Sequence, residues 1–254
     1  MTETGNVNLA IDEAGVGVIT FFHPSHNSLP GKLLNQLAQT ITQAGQEEEV
    51  KVIVLKSEGE RTFCAGASFD ELVAIQNKEQ GLEFFSGFAK VINACRTSPK
   101  IIIGRVQGKA IGGGVGVAAA TDYCFATQHA AIKLSEIAVG IGPFVVGPAV
   151  ERKIGLSAFS QLALDATEFR SAAWAKEKGL YAEVYETAET MDVAVQAFAL
   201  KLAGYSPEAL TALKQIFWQG TENWDKLLVD RAAISGTLVL SDFTRNFIQG
   251  FKNK

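Results

Sequence analysis

Two glycine-bearing turns and one carboxylate are the residues of this chain best suited to do chemistry together. Phe63-Cys64-Ala65-Gly66-Ala67-Ser68 is the first turn. Gly108-Lys109-Ala110-Ile111-Gly112-Gly113-Gly114-Val115-Gly116 is the second. Each follows a β-branched run and leads into a predicted helix. Turns of this kind can aim backbone N–H groups into one cavity, and two such donors from separate turns are what an oxyanion hole needs. The carboxylate is Glu136, behind a third short strand, Ala131-Ile132-Lys133-Leu134. Donors for a developing oxyanion beside one placed carboxylate suit proton abstraction next to a carbonyl such as that of a thioester.

Each feature has a competing reading. Gly114-Val115-Gly116-Val117-Ala118-Ala119 satisfies the G-x-G-x-x-A form of a dinucleotide fingerprint, with Glu136 about twenty residues further on, where a ribose-binding acid would sit. That fingerprint should open directly after its strand, yet Val106 lies well before Gly114, and Phe63 to Ala67 stay unexplained. A third reading gives the glycines only a role in close helix–strand packing. Glu136 could be an exposed acid favouring a helix N-terminus. Its neighbours Leu134, Ile137, Val139 and Ile141 instead suggest partial desolvation and a raised pKa. Cys64 reads as a small apolar filler, because nucleophilic cysteine chemistry usually needs a basic partner. His23, His26 and His129 fall in polar loops, too few for a metal site.

These residues need strands and helices to hold them. Val7 to Ile11 and Val16 to Phe22 read as a hairpin around Asp12-Glu13-Ala14-Gly15. A helix with Pro30 in its first turn follows, its apolar face marked by Leu33, Leu37, Ile41 and Ala44. Val50 to Leu55 is a continuous β-branched run, as in a sheet buried on both faces. Gly81 to Cys95 then reads as helix, Ile101 to Val106 as strand, Val115 to Ala120 as helix and Tyr123 to Ala126 as strand. This alternation argues for α/β architecture. From Val145 onward helices dominate. One starts at Ser206-Pro207, and a last helical stretch runs from Trp224 to about Phe251.

Bulk properties exclude several classes. The net charge is −4 and 20% of residues are charged, which argues against a nucleic-acid binder with its basic face. The three cysteines form no CxxC pattern and no even-numbered framework, which suggests a reducing compartment. Met1 to Asn8 lacks the basic and apolar regions of a signal peptide, and no apolar run approaches the roughly 20 residues of a spanning helix. The expectation is a cytoplasmic protein with no membrane or nucleic-acid partner.

The series Phe63 to Ala67, Gly108 to Gly114, Asp122-Tyr123 and Ser135-Glu136 resembles the crotonase superfamily, the enoyl-CoA hydratase/isomerase family. Ala172 to Leu180 is similar to that family's alanine-rich helix ending in Gly-Leu. The resemblance covers nearly the whole chain. It implies an α/β crotonase-like spiral of ββα units over residues 1–200, carrying an acyl-CoA site. A helical trimerisation region would follow over 201–254. It implies a homo-oligomer, either a trimer or a dimer of trimers. The substrate would be an acyl-CoA, so coenzyme A is part of the substrate and no metal or redox cofactor is implied. Glu136 would be the catalytic residue, and the N–H groups of Ala67 and Gly113 the oxyanion hole. Ala65, Ser68, Phe69 and Phe144, together with His26, Phe251 and Lys254, would contact acyl or CoA groups.

The chain departs from that pattern in three places. Gly116 stands where family hydratases usually carry a second glutamate. Gly140 to Gly147 replaces the usual Pro-Gly-x-Gly-Gly run, and His26 replaces a basic residue before Asn27-Ser28. One carboxylate suffices to move a proton between C2 and C4, so double-bond isomerisation is favoured. Three other functions stay open: a hydratase drawing an acid from elsewhere, such as Asp70 or Glu71; a catalytically weak acyl-CoA binder; and an NAD-dependent dehydrogenase.

Overall fold

The computed structural model describes the backbone of residues 5–252 and the side chains of 5–250. Strands β1 (Asn6–Ile11) and β2 (Val16–Phe22) form the predicted antiparallel hairpin. Asp12 closes it, its carboxylate accepting from the N–H groups of Ala14 (3.0 Å) and Val16 (2.8 Å). Helix α1 (Gly31–Gln46) follows Pro30 and buries Leu33, Leu37, Ile41 and Ala44, as its spacing predicts. Strand β3 (Val52–Ser57) comes next.

From β3 onward the chain winds in repeated units, each adding one strand to a large sheet and one to a small sheet. β3 is followed by β4 (Thr62–Cys64), then helices α2 (Phe69–Ala74) and α3 (Lys78–Thr97). β5 (Ile101–Val106) is followed by β6 (Lys109–Ile111) and α4 (Gly113–Ala119). β7 (Tyr123–Thr127) is followed by β8 (Ile132–Lys133) and a 3₁₀ turn, Glu136–Val139. Helix α5 (Gly147–Leu164), broken at Gly155, and α6 (Ala172–Glu177) lead to β9 (Glu183–Tyr185). The large sheet runs β1-β2-β3-β5-β7-β9 and the small one β4-β6-β8, all parallel beyond the hairpin. This is a spiral of ββα units, as the resemblance implies.

Burial on both faces explains the unbroken apolar strands. Ile53, Leu55 and Ile102 face the main core under α1 and α3. Val52, Val54 and Ile103 face a second cluster with Met191, Val195 and Ala199 of α7 (Ala188–Ala203).

The C-terminal helices close over the spiral. They are α8 (Pro207–Phe217), α9 (Trp224–Leu238) and α10 (Asp242–Lys252). The sequence reads the last two as one stretch. The structure breaks it at Val239–Ser241, where the Ser241 hydroxyl accepts from the Thr244 N–H and starts a new helix. Trp218, Trp224, Leu228 and Ala232 join the main core. Helices α3 and α9 cross so closely that a Cβ on Gly81 would lie 2.7 Å from the Gly236 backbone. A buried ionic tie adds to this. Lys214 Nζ lies 2.9 Å from Asp122 Oδ2, both side chains being 2% exposed, and donates to the Lys100 carbonyl at 2.7 Å. The Asp122 carboxylate also accepts from the Ile102 N–H (2.7 Å) and the Trp218 indole (2.8 Å).

Candidate active site

The first turn is held by a residue that was read only as part of a loop. Asn27 is buried in a left-handed conformation, φ +56°. Its amide donates to the carbonyls of Glu58 and Thr62 and its oxygen accepts from the His23 N–H, so every strong polar function is used. This clamp presents Leu29 to the first turn. Leu29 donates to the Gly66 carbonyl (2.8 Å) and accepts from the Ser68 N–H (3.2 Å), while Ser28 Oγ donates to the Ala67 carbonyl (2.9 Å). The bonds on either side of Ala67 leave its own N–H without a protein acceptor among the described residues.

The second turn arrives from β6. Gly112 takes φ +53°, open to glycine, and donates to the Lys133 carbonyl at 2.8 Å. Gly113 is the first residue of α4, where an N–H has no partner inside the helix. Among the described residues it finds none elsewhere. The two turns touch: a Cβ on Gly66 would lie 3.7 Å from the Gly113 nitrogen. Two orphan amides therefore sit at the wall of one cavity of about 530 Å³.

Glu136 enters the same cavity from the end of β8. Its carboxylate lies over the second turn, so that a Cβ on Gly112 would meet Oε1 at 3.0 Å. Oε2 is closed off from solvent and has no hydrogen-bond partner among the described residues. Burial pushes the Glu136 pKa from 4.5 up to about 7, offset in part by its own backbone N–H. A carboxylate so poised can take or return a proton near neutrality. Both sequence readings hold in part, since Glu136 heads a short helical turn and is also desolvated.

Ala65, Ser68, Phe69 and Phe144 line this cavity. Ser68 also caps α2 by accepting from the Glu71 N–H. His26 is exposed and does not line the cavity, whereas His23 and Ser25 of the same loop do. Lys254 and the side chain of Phe251 lie outside the described residues. Of the two acids weighed as a second carboxylate, Glu71 accepts from the Gly31 N–H at 2.8 Å and caps α1. Asp70 lines the cavity. Sequence reasoning missed Phe84 and Phe88, whose helical spacing signals a buried face but not a cavity wall. Val146, from the Gly140 to Gly147 run, also lines the cavity and packs on Gly116: a Cβ there would meet Val146 Cγ1 at 2.5 Å.

The same packing argues against the dinucleotide reading. Phe88 occupies the space beside Gly113, Cys64 that beside Gly114 and Val146 that beside Gly116. Gly114 and Gly116 also lie inside α4 rather than in the turn that opens it, where a pyrophosphate would be cradled. Cys64 is the filler that its sequence context suggests, its thiol pushed up to about 12 by burial.

Known proteins match this architecture. The family model described as enoyl-CoA hydratase/isomerase matches residues 12–238. A short-chain-enoyl-CoA hydratase of Clostridium acetobutylicum is 27% identical, over 97% of this chain and 98% of its own length. The mitochondrial methylglutaconyl-CoA hydratase of Homo sapiens is 32% identical, over 77% of this chain and 58% of its own length. The crystal structure of an enoyl-CoA hydratase from Mycobacterium avium superposes with a TM-score of 0.86 at 26% identity. That match covers 97% of this chain and 96% of the other.

Proposed function

The chain belongs to the enoyl-CoA hydratase/isomerase family, and from that premise we propose that it moves the double bond of an enoyl-CoA thioester with Glu136 as the only proton carrier. The thioester oxygen accepts from the N–H groups of Ala67 and Gly113. Glu136 takes a proton from C2 of a 3-enoyl-CoA. The electron pair left at C2 spreads onto the thioester oxygen, where the two amides stabilise it, and through the C3–C4 double bond to C4. Glu136 then returns the proton at C4, leaving a 2-enoyl-CoA. One carboxylate performs both transfers, so the step balances without water or a cofactor.

The observation that carries this reading is the Glu136 carboxylate over the Gly112-Gly113 turn, its Oε2 closed off from solvent and without a hydrogen-bond partner among the described residues. The filling of the Gly116 space by Val146 supports isomerisation over hydration, because hydration must orient water while the α-carbon is protonated. The test compares interconversion of 3-enoyl-CoA and 2-enoyl-CoA with hydration of 2-enoyl-CoA. Isomerisation should be the faster reaction, and Glu136→Gln should reduce it by about 100- to 10,000-fold while acyl-CoA binding persists. Efficient hydration with no isomerisation would overturn the reading and direct attention to Asp70. Binding with neither reaction would favour the catalytically weak binder.

A further inference from the structure

A second cavity, of about 820 Å³ and open to solvent, lies between α1, α2 and α3. Phe84 lines both. Its ring stands edge-on to Phe85 at 5.0 Å and the residue is 9% exposed, so it fills the partition. The remainder of the partition is α2, a six-residue helix with no buried residue. Phe69, Asp70 and Leu72 face the catalytic cavity, while Glu71 and Ala74 face the second one. Phe84 and Gly87 form the buried floor of the second cavity, with exposed Ala74 and half-buried Ile75 on its wall. Two carboxylates at its rim are already engaged, Glu71 with the Gly31 N–H and Glu83 with Lys90 at 3.1 Å.

We infer that the ring of Phe84 sets the acyl-chain length this site accepts, and that the cavity behind it is a ready extension for the distal carbons of a longer chain. This rests on the acyl-CoA reading above and adds the selecting residue. Short chains stop against the aromatic wall. Removing the ring joins the two spaces and lets further methylenes leave water.

Calorimetric titration with saturated acyl-CoA thioesters, from butyryl to lauroyl, tests this without turnover. Each methylene that becomes buried should raise affinity about fourfold. Wild-type affinity should climb only until the chain meets Phe84, then level or fall. In Phe84→Ala the climb should continue, and in Phe84→Leu it should extend part of the way. Phe84→Leu keeps most of the space filled and decides the matter should the alanine variant not fold. Ala74→Trp, added to either variant, should fill the second cavity and cancel the gain, leaving butyryl-CoA binding unchanged. The same plateau in a folded Phe84→Leu protein, or a gain that survives Ala74→Trp, would overturn the inference. A wild type that binds no thioester of the series would instead overturn the acyl-CoA reading, and this extension with it.

Discussion

At the scale of single residues, Glu136 makes two demands on the protein. Its pKa rises from 4.5 to about 7 through burial. The folded state therefore holds that proton more tightly than the unfolded chain. Stability contributed by the protonated carboxyl is lost as pH climbs through about 7. Activity has the opposite sign, because a base must be ionised, so turnover should rise with pH and level off above about 7. Thermal melts of wild type and Glu136→Gln check the stability side. The amide should melt higher near about pH 8 and converge with wild type near about pH 5. A variant that melts lower at both would remove the case for a desolvated carboxylate. Glu136 was legible because apolar neighbours surround it in the chain. Asn27 was not, because its clamp joins carbonyls of Glu58 and Thr62, which have no side-chain signature.

At the scale of elements, the long periodic pieces were readable and the short ones were not. α1 and the β-branched strands announce themselves by spacing and composition. β4, β6 and β9 are three residues each and owe their pairing to neighbours distant in sequence. The contact between α4 and the start of α5 is equally hidden, since nothing near Val146 points to Gly116. Gly116→Glu cannot by itself restore a second acid, because its Cβ would overlap Val146 Cγ1 (2.5 Å) and Cβ (2.7 Å). The single substitution should cost about 1–3 kcal/mol through overpacking, seen as a lowered melting temperature. Gly116→Glu combined with Val146→Gly should recover part of that loss and raise hydration relative to isomerisation. A stable double variant with an unchanged ratio would show that a carboxylate there does not reach the reacting carbons.

At the scale of the whole molecule, the spiral and its helical cover share one core, yet much apolar surface stays outside it. Leu164 is 80% exposed, Val193 72% and Phe243 63%, and Leu156, Ile216 and Ile234 are also exposed. Where such residues form one contiguous patch they mark an interaction site. Sedimentation at micromolar concentration should find a closed homo-oligomer, a trimer or a dimer of trimers, and a stable monomer would reject that assembly. The ionic tie between Asp122 and Lys214 bears on how the molecule is made. A carboxylate enclosed without its counter-charge is strongly unfavourable. The indole of Trp218 also reaches Asp122 from beyond residue 200. A ribosome delivers Asp122 long before it delivers either partner. A chain cut short near residue 200 would lack both the Lys214 and the Trp218 partner of Asp122, leaving that carboxylate the Ile102 N–H and the charge of Lys153.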